Sequence, residues 1–330
     1  MLCIFLTLYS TTHFFQEVDF MEMKFGKEFD SLIENAKSLG KPMRAVVAGA
    51  NAENILKGVF AAQDAGFVYP VLVGNERKIR ASLDALGFSD RRFDLLPIDA
   101  SINPVQFSIE MINAGSGDIL VRGNTQTRDF LLPVLNKLNH FIDEDALVTH
   151  VVFLKIPDYD KLLGVSDVTL LFNPPADARK KVAVNLVKAL NLLGVEHPKI
   201  ALLALIESPA FHMRDTVEDQ TIVRDHKAHP IADCELVGPI SYDLIVSKEA
   251  ARLKGYDCPY SGEFDGIVVP NLLSGNLIVK VLEMNAGARA FGVLMGTKVP
   301  VSISGRSEAP EDTFLSLAAC AAMLKEKQEK

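Results

Sequence analysis

The chain has 330 residues, 48% hydrophobic and 23% charged, with 21 Gly and 16 Pro. That balance excludes collagen-like, disordered and disulfide-scaffold chains, and the length suits about two domains. The net charge of −8 (34 Lys+Arg against 42 Asp+Glu) comes with no dense basic run, so no nucleic-acid partner is expected, and an anionic ligand needs a few placed cations and backbone donors.

The first segment, MLCIFLTLYS, is apolar but too short to span a membrane. No Lys or Arg precedes it and no clean small-residue cleavage site follows, so a secretory signal is not expected. Residues 1–22 therefore read as an N-terminal extension, disordered or ahead of a start at Met21 or Met23, with a weak membrane or partner anchor as the alternative; no membrane partner is expected. From Lys41 onward strands and helices alternate. RAVVAGA (44–50) is an apolar run ending in small residues, as a buried parallel strand does. A helical pattern follows over 53–67, then YPVLVG (69–74), then ERKIRASLDALGF with Gly87 as its stop. FDLLPID, PVQFSIEMINAG, DILVRG and RDFLLPVLNKL continue the alternation, which predicts a doubly wound parallel sheet.

The middle departs from this rhythm. VTHVVFLKI (148–156) and VTLLFNP (168–174) read as two strands with no full helix between them. The amphipathic stretch 178–194 then opens a second alternating set: KIALLAL, a polar stretch at 208–233, CELVGP, one helix over 241–255, FDGIVVP, SGNLIVKVLEMNAG, FGVLMG and VPVSISG. The last predicted element is an amphipathic helix from Pro310. Two α/β halves without a floppy linker imply a cleft between them, where ligands usually bind.

Ligands gather at the carboxyl ends of strands in such sheets, and four segments end a strand with small or polar residues. In VRGNTQT (121–127), Gly123 permits close backbone approach and Asn124, Thr125 and Thr127 offer donors; the same residues also make an ordinary helix cap. In 237–251, Asp243 falls in a first helical turn, where the dipole favours an acid whatever its role. In VPNLLSGNLIVK (269–280), Gly275 and Asn276 open a helix whose amides can hold an anion, with Lys280 one turn further on; a capped core helix with a solvated lysine is the plain alternative. In VPVSISGRSEAPEDTF (299–314), Arg306 follows a buried strand and Asp312 starts the last helix, a pair that can bind phosphate and take a proton, or simply neutralise each other.

Other features carry less. His212, His226 and His229 with Asp225 and Asp233 fit no compact zinc spacing, so no metal is expected. VAGANAEN lacks the Gly-x-Gly-x-x-Gly pattern of dinucleotide sites. The four cysteines (Cys3, Cys234, Cys258, Cys320) lack CxxC spacing and read as free thiols of a reducing cytoplasm. Cys320 sits mid-helix among Ala and Leu, which argues for core packing and against a cysteine acyl-enzyme.

Taken together, VRGNTQT, residues 149–177, ELVGPISYDLIVSKEAARLKG (235–255) and residues 267–307 resemble the phosphate acetyltransferase and phosphate butyryltransferase family. The order Gly275-Asn276, Lys280, Ala286-Gly287-Ala288, Gly296, Pro300, Arg306 is its most specific part, and the resemblance spans about residues 42–325. It implies reversible transfer of a short acyl group, butyryl or acetyl, between CoA and inorganic phosphate, with no covalent acyl-enzyme and no cofactor beyond the substrates. It also implies two doubly wound α/β/α domains with an interdomain cleft, as in isocitrate and isopropylmalate dehydrogenases, and usually a homodimer. The last helix is expected to rejoin the first domain, giving domains 23–148 plus 306–330 and 149–305. The family's phosphate-binding Arg falls on Arg306. Its catalytic acid falls on Asp312 by the acetyltransferase pattern and on Glu308 by the butyryltransferase pattern, so the base stays open. The Ser that usually precedes the Arg is Gly305 here, with Ser304 one place away, and the usual acid after Pro270 is Asn271. These departures make a catalytically silent acyl-CoA or acyl-phosphate binding relative the alternative. A metal-dependent dehydrogenase of the related fold is a third reading, but no cluster of acids supports it.

Overall fold

A computed structural model of the chain describes Met23 and residues 29–305 and 309–329, with side chains described to Lys325. Residues 1–22, Arg306 and Glu308 lie outside the described residues. The strands are β1 (Met43–Ala48), β2 (Val68–Gly74), β3 (Asp94–Pro97), β4 (Ile119–Arg122), β5 (Thr149–Lys155), β6 (Leu162–Ser166), β7 (Lys199–Leu203), β8 (Glu235–Ile240), β9 (Gly266–Val268), β10 (Arg289–Met295) and β11 (Val301–Ser302). The helices are α1 (Asp30–Lys37), α2 (Glu53–Asp64), α3 (Glu76–Leu86), α4 (Pro104–Asn113), α5 (Thr127–Leu135), α6 (Ala176–Leu192), α7 (Arg214–Ala228), α8 (Tyr242–Val246), α9 (Lys248–Lys254), α10 (Leu272–Ala286) and α11 (Pro310–Glu329). None of them is long and apolar enough to cross a membrane, among the described residues.

All the strands join one sheet in the order β3-β2-β1-β4-β11-β10-β5-β6-β9-β7-β8. β3, β2, β1, β4 and β11 are parallel to one another. So are β6, β9, β7 and β8. Between the two blocks β10 runs antiparallel to both β11 and β5, and β5 antiparallel to β6. The two blocks therefore point in opposite directions, and the register fixes where their carboxyl ends fall. Val121, Ser302, Val293 and Val151 form one row across β4, β11, β10 and β5. β4 ends one residue beyond that row, at Arg122. β6, whose Val165 pairs with Val152, ends at Ser166 on the same level. Both sets of carboxyl ends thus meet in the middle of the sheet.

The alternation of side chains separates the two faces. On the first face Val47, Val121, Val151, Phe153, Phe291 and Leu202 belong to one continuous core that runs from α1 and α2 through α11 to α6. On the second face the core is split. Val46, Leu120 and Leu294 pack with α4 and α5, and Val152, Leu154, Ala201 and Ile267 pack with α8 to α10. α11 lies against α1, α2 and β10.

Two local expectations are corrected. Residues 168–174 are not a strand, and the second strand of the middle region is β6, which starts six residues earlier. The Asp167 carboxylate ends it by accepting from the amides of Thr169 (2.8 Å) and Leu170 (3.2 Å), an Asx turn that competes with continued pairing. The helix expected over 241–255 breaks at Ser247, which is extended and whose hydroxyl caps α9 by accepting from Ala250 N.

Candidate functional site

The gap between the two second-face cores is a cavity of about 520 Å³ at the level where the strand ends converge. Its walls include Arg122 and Thr127 from the β4–α5 junction, His150 and Val152 from β5, Val168 and Thr169 after β6, Asn276, Val279 and Lys280 from α10, and Ile303, Ser304 and Gly305 after β11.

Arg122 ends an otherwise apolar strand and is buried. Its guanidinium donates to the Thr125 carbonyl (2.9 and 3.3 Å) and to Thr127 Oγ1 (3.0 Å), so it shapes the loop while presenting charge to the cavity. Lys280 supplies the second cation, half exposed and paired with Glu283 at 2.8 Å. His150 lies beneath them with Nδ1 2.7 Å from Thr169 Oγ1. Burial, reinforced by the charges of Arg122 and Lys280, pushes its imidazole down to about 3, so the ring is neutral at working pH. Behind it Asp167 is buried, and desolvation pushes its carboxyl up to about 6 although amide donors hold one oxygen. His150 Nε2, Asp167 Oδ2, Ser304 Oγ and Thr125 Oγ1 are all buried without a hydrogen-bond partner among the described residues. Buried polar groups are normally satisfied, and of these residues His150 and Ser304 are walls of the cavity, where a ligand can pair with them.

The predicted residues divide. Thr127, Asn276, Lys280 and Ser304 line the cavity. Gly123, Asn124 and Thr125 hold the loop beside it. The amides of Gly123, Asn124 and Thr125 are committed to Ala48 O, Gly49 O and Gly123 O, and a Cβ on Gly123 would collide with Gly49 O. The expected backbone donors near Gly123 are thus not available to an oxyanion. Gly275 likewise donates its amide to Asn271 O within α10, and a Cβ there would stand 2.7 Å from Asp167 O. Its role is to let α10 approach the turn after β6, which places Asn276 Nδ2 within 3.4 Å of Val168 O. Asn271 caps α10 by accepting from Ser274 N at 3.0 Å, a task that Asp and Asn perform alike.

Asp312 is buried at the start of α11 on the first face and is not among the cavity walls. Its Oδ2 accepts from Ala309 N at 2.9 Å, and Arg289 stands 3.6 Å from Oδ1. Desolvation outweighs that arginine and pushes the carboxyl up to about 6. Arg306 and Glu308 lie outside the described residues; Gly305, which precedes them in sequence, is on the cavity wall. Asp243 pairs with Lys254 at 2.8 Å, the structural role that its helix position suggests. His226 is a core histidine: Nδ1 accepts from Ile231 N, which leaves Nε2 to donate to Cys234 O. Cys234 and Cys320 are buried, and desolvation raises both thiols. Sequence reasoning passed over Arg122, His150, Asp167 and Thr169. The available signal was a charged or imidazole residue inside an apolar strand, as in DILVR and THVV.

The model of the phosphate acetyl/butaryl transferase family matches residues 98–322. The chain belongs to this family. The phosphate acetyltransferase of Thermotoga maritima is 28% identical over 292 residues, covering 88% of this chain and 97% of that protein. The phosphate butyryltransferase of Clostridium acetobutylicum is 28% identical over 298 residues, covering 89% and 97%. Among solved structures, a branched-chain phosphotransacylase from Enterococcus faecalis V583 superposes with a TM-score of 0.74 at 25% identity, covering 85% of this chain and 99% of that one. These family members are acyltransferases, and the mixed α/β fold is shared with them.

Proposed function

We propose that the second-face cavity is where this family member passes a short acyl group between CoA and inorganic phosphate. The observation that carries the reading is the convergence of both sets of strand ends on a cavity with two cations and two buried wall residues, His150 and Ser304, each with a polar atom unpaired among the described residues. In one direction the CoA thiol gives up its proton, attacks the carbonyl of an acyl phosphate, and phosphate leaves; in the other a phosphate oxygen attacks the thioester and the thiol leaves. A thiol with pKa of roughly 8.5 needs only a nearby carboxylate to ionise at neutral pH. Arg306 is assigned to the phosphate, because Gly305 before it already stands on the cavity wall. Glu308 is assigned as base ahead of Asp312, which is buried at the start of α11 and is not among the cavity walls. With the nearby amides committed, the oxyanion falls to side chains, of which Arg122, Lys280 and Asn276 are in place. The reaction balances without a metal or redox group.

The same reading keeps the expected domains, 23–148 plus 306–330 and 149–305, except that β11 and Leu294 pack with the first block. It also calls for a homodimer. Leu273, Leu277, Val281 and Met284 form an exposed apolar stripe along α10, beside exposed Phe172. A single self-complementary patch suffices for a twofold contact, which makes a second copy the natural occupant. Free, buried thiols suit a cytoplasmic enzyme. The test is phosphate-dependent release of CoA from thioesters from acetyl-CoA to octanoyl-CoA. Turnover with at least one is expected. CoA binding by calorimetry without any turnover would instead establish a silent binding protein.

A further inference from the structure

We propose that Val152, Val168, Val279 and Ile303, over the His150 ring, form an acyl pocket that selects short aliphatic acyl groups longer than acetyl. This rests on the reading of the cavity as the acyl-transfer site and specifies its substrate.

The four aliphatic side chains come from four separate segments: β5, the turn after β6, α10 and the end of β11. Each is buried, yet each forms part of the cavity wall. They share that cavity with Arg122 and Lys280. A cavity that combines two cations with four aliphatic walls matches a ligand with an anionic head and a short apolar tail, which describes an acyl phosphate. A polar or charged acyl group would leave these walls wetted or unpaired. An acetyl group offers a single methyl to them. Each further methylene that they bury contributes about 0.8 kcal/mol, or roughly a fourfold gain in specificity.

The pocket also has a fixed floor. His150 lies over Gly292, whose missing side chain leaves the space that the imidazole occupies; a Cβ at Gly292 would overlap His150 Nε2. The ring is uncharged, so an apolar chain can rest against it. Val152 and His150 are carried on a central strand paired on both sides, so the floor and one wall are rigid. Rigid walls set an upper limit on chain length as well as a lower one.

The test is kcat/KM for phosphate-dependent CoA release with acetyl-, propionyl-, butyryl-, isovaleryl- and octanoyl-CoA, for the wild type and for Val279→Leu, Val168→Thr and Gly292→Ala, each with a melting curve. The wild type is expected to prefer butyryl over acetyl by roughly tenfold or more, from two added methylenes, and to lose activity at octanoyl. Val279→Leu narrows the pocket, Val168→Thr makes its wall polar at similar volume, and Gly292→Ala drives His150 upward. Each folded variant should move the butyryl-to-acetyl ratio toward acetyl by about fourfold. Equal or better use of acetyl-CoA, or a ratio unmoved in every variant that folds, overturns the pocket while leaving acyl transfer intact. No turnover with any thioester overturns the function and the pocket together.

Discussion

The two faces of the sheet are built from the same strands, yet they do different work. On the first face one core runs without a break from α1 to α6 and binds the two strand blocks into a single body. On the second face the helices cover each block separately and leave the reversal zone open. The difference follows from topology. α11 crosses the reversal zone on the first face, packing on β10 and β11. No described helix does so on the second. The site therefore lies where the sheet changes direction and one face is left uncovered.

The sharpest way to break this comparison is to damage the first face alone. Phe291 is fully buried there, its ring centre 5.2 Å from that of a tilted Phe153 and 6.0 Å from that of an edge-on Phe29. Phe291→Ala should cost about 3–5 kcal/mol in denaturant unfolding. The chain should still unfold in one transition, with near-normal activity per folded molecule; two separated transitions would show that the first face does not join the blocks.

Gly275→Ala probes the second face. Its Cβ would meet Asp167 O, forcing α10 away from the turn after β6. An overpacking cost of roughly 1–3 kcal/mol is expected, with a larger loss in kcat/KM than Phe291→Ala produces.

Asp312→Asn separates stability from catalysis through pH. The carboxyl lies near 3.8 when free and about 6 in the fold. Between those values the folded chain binds more proton than the unfolded one, so its contribution to stability falls as pH rises and the penalty is complete above about 6. The Asn variant lacks this penalty. Its stability relative to the wild type should be greater at pH 8 than at pH 5, by about 1 kcal/mol, since roughly one unit separates pH 5 from the folded value. If Asp312 is the base, activity collapses and the wild-type acid limb near pH 6 disappears with it. If Glu308→Gln does that instead, Glu308 is the base.

The smallest effect concerns the exposed stripe of α10. Leu277→Glu should convert a dimer to monomer in sedimentation while shifting unfolding free energy by less than about 0.5 kcal/mol, because the side chain is exposed in the single chain.

Much of this was legible in the sequence, for identifiable reasons. Buried parallel strands such as MRAVVA and ILVR are apolar but for one arginine each because both their faces are covered, and that signal needs no tertiary information. β6 was missed because LLGVS is short and the more apolar VTLLF follows it, while the feature that ends the strand is the Asp167 side chain bonding to its own backbone. At the site, Lys280, Asn276, Thr127 and Ser304 could be found as polar residues following strands. Arg122 and His150 could not be found that way, since they lie within strands and reach the cavity only because two carboxyl edges converge on one row. Gly123 and Gly275 were legible as close approaches, but the backbone that approaches is the protein's own.

The central claim is that the uncovered part of the second face performs acyl transfer to phosphate. Steady-state kinetics of phosphate-dependent CoA release by Arg122→Ala test it most directly, since this residue was singled out by the cavity and not by the family pattern. A fall in kcat/KM of roughly 10- to 100-fold is expected, from loss of a charged donor, in a protein that still melts cooperatively. Wild-type kinetics in the folded variant would contradict it.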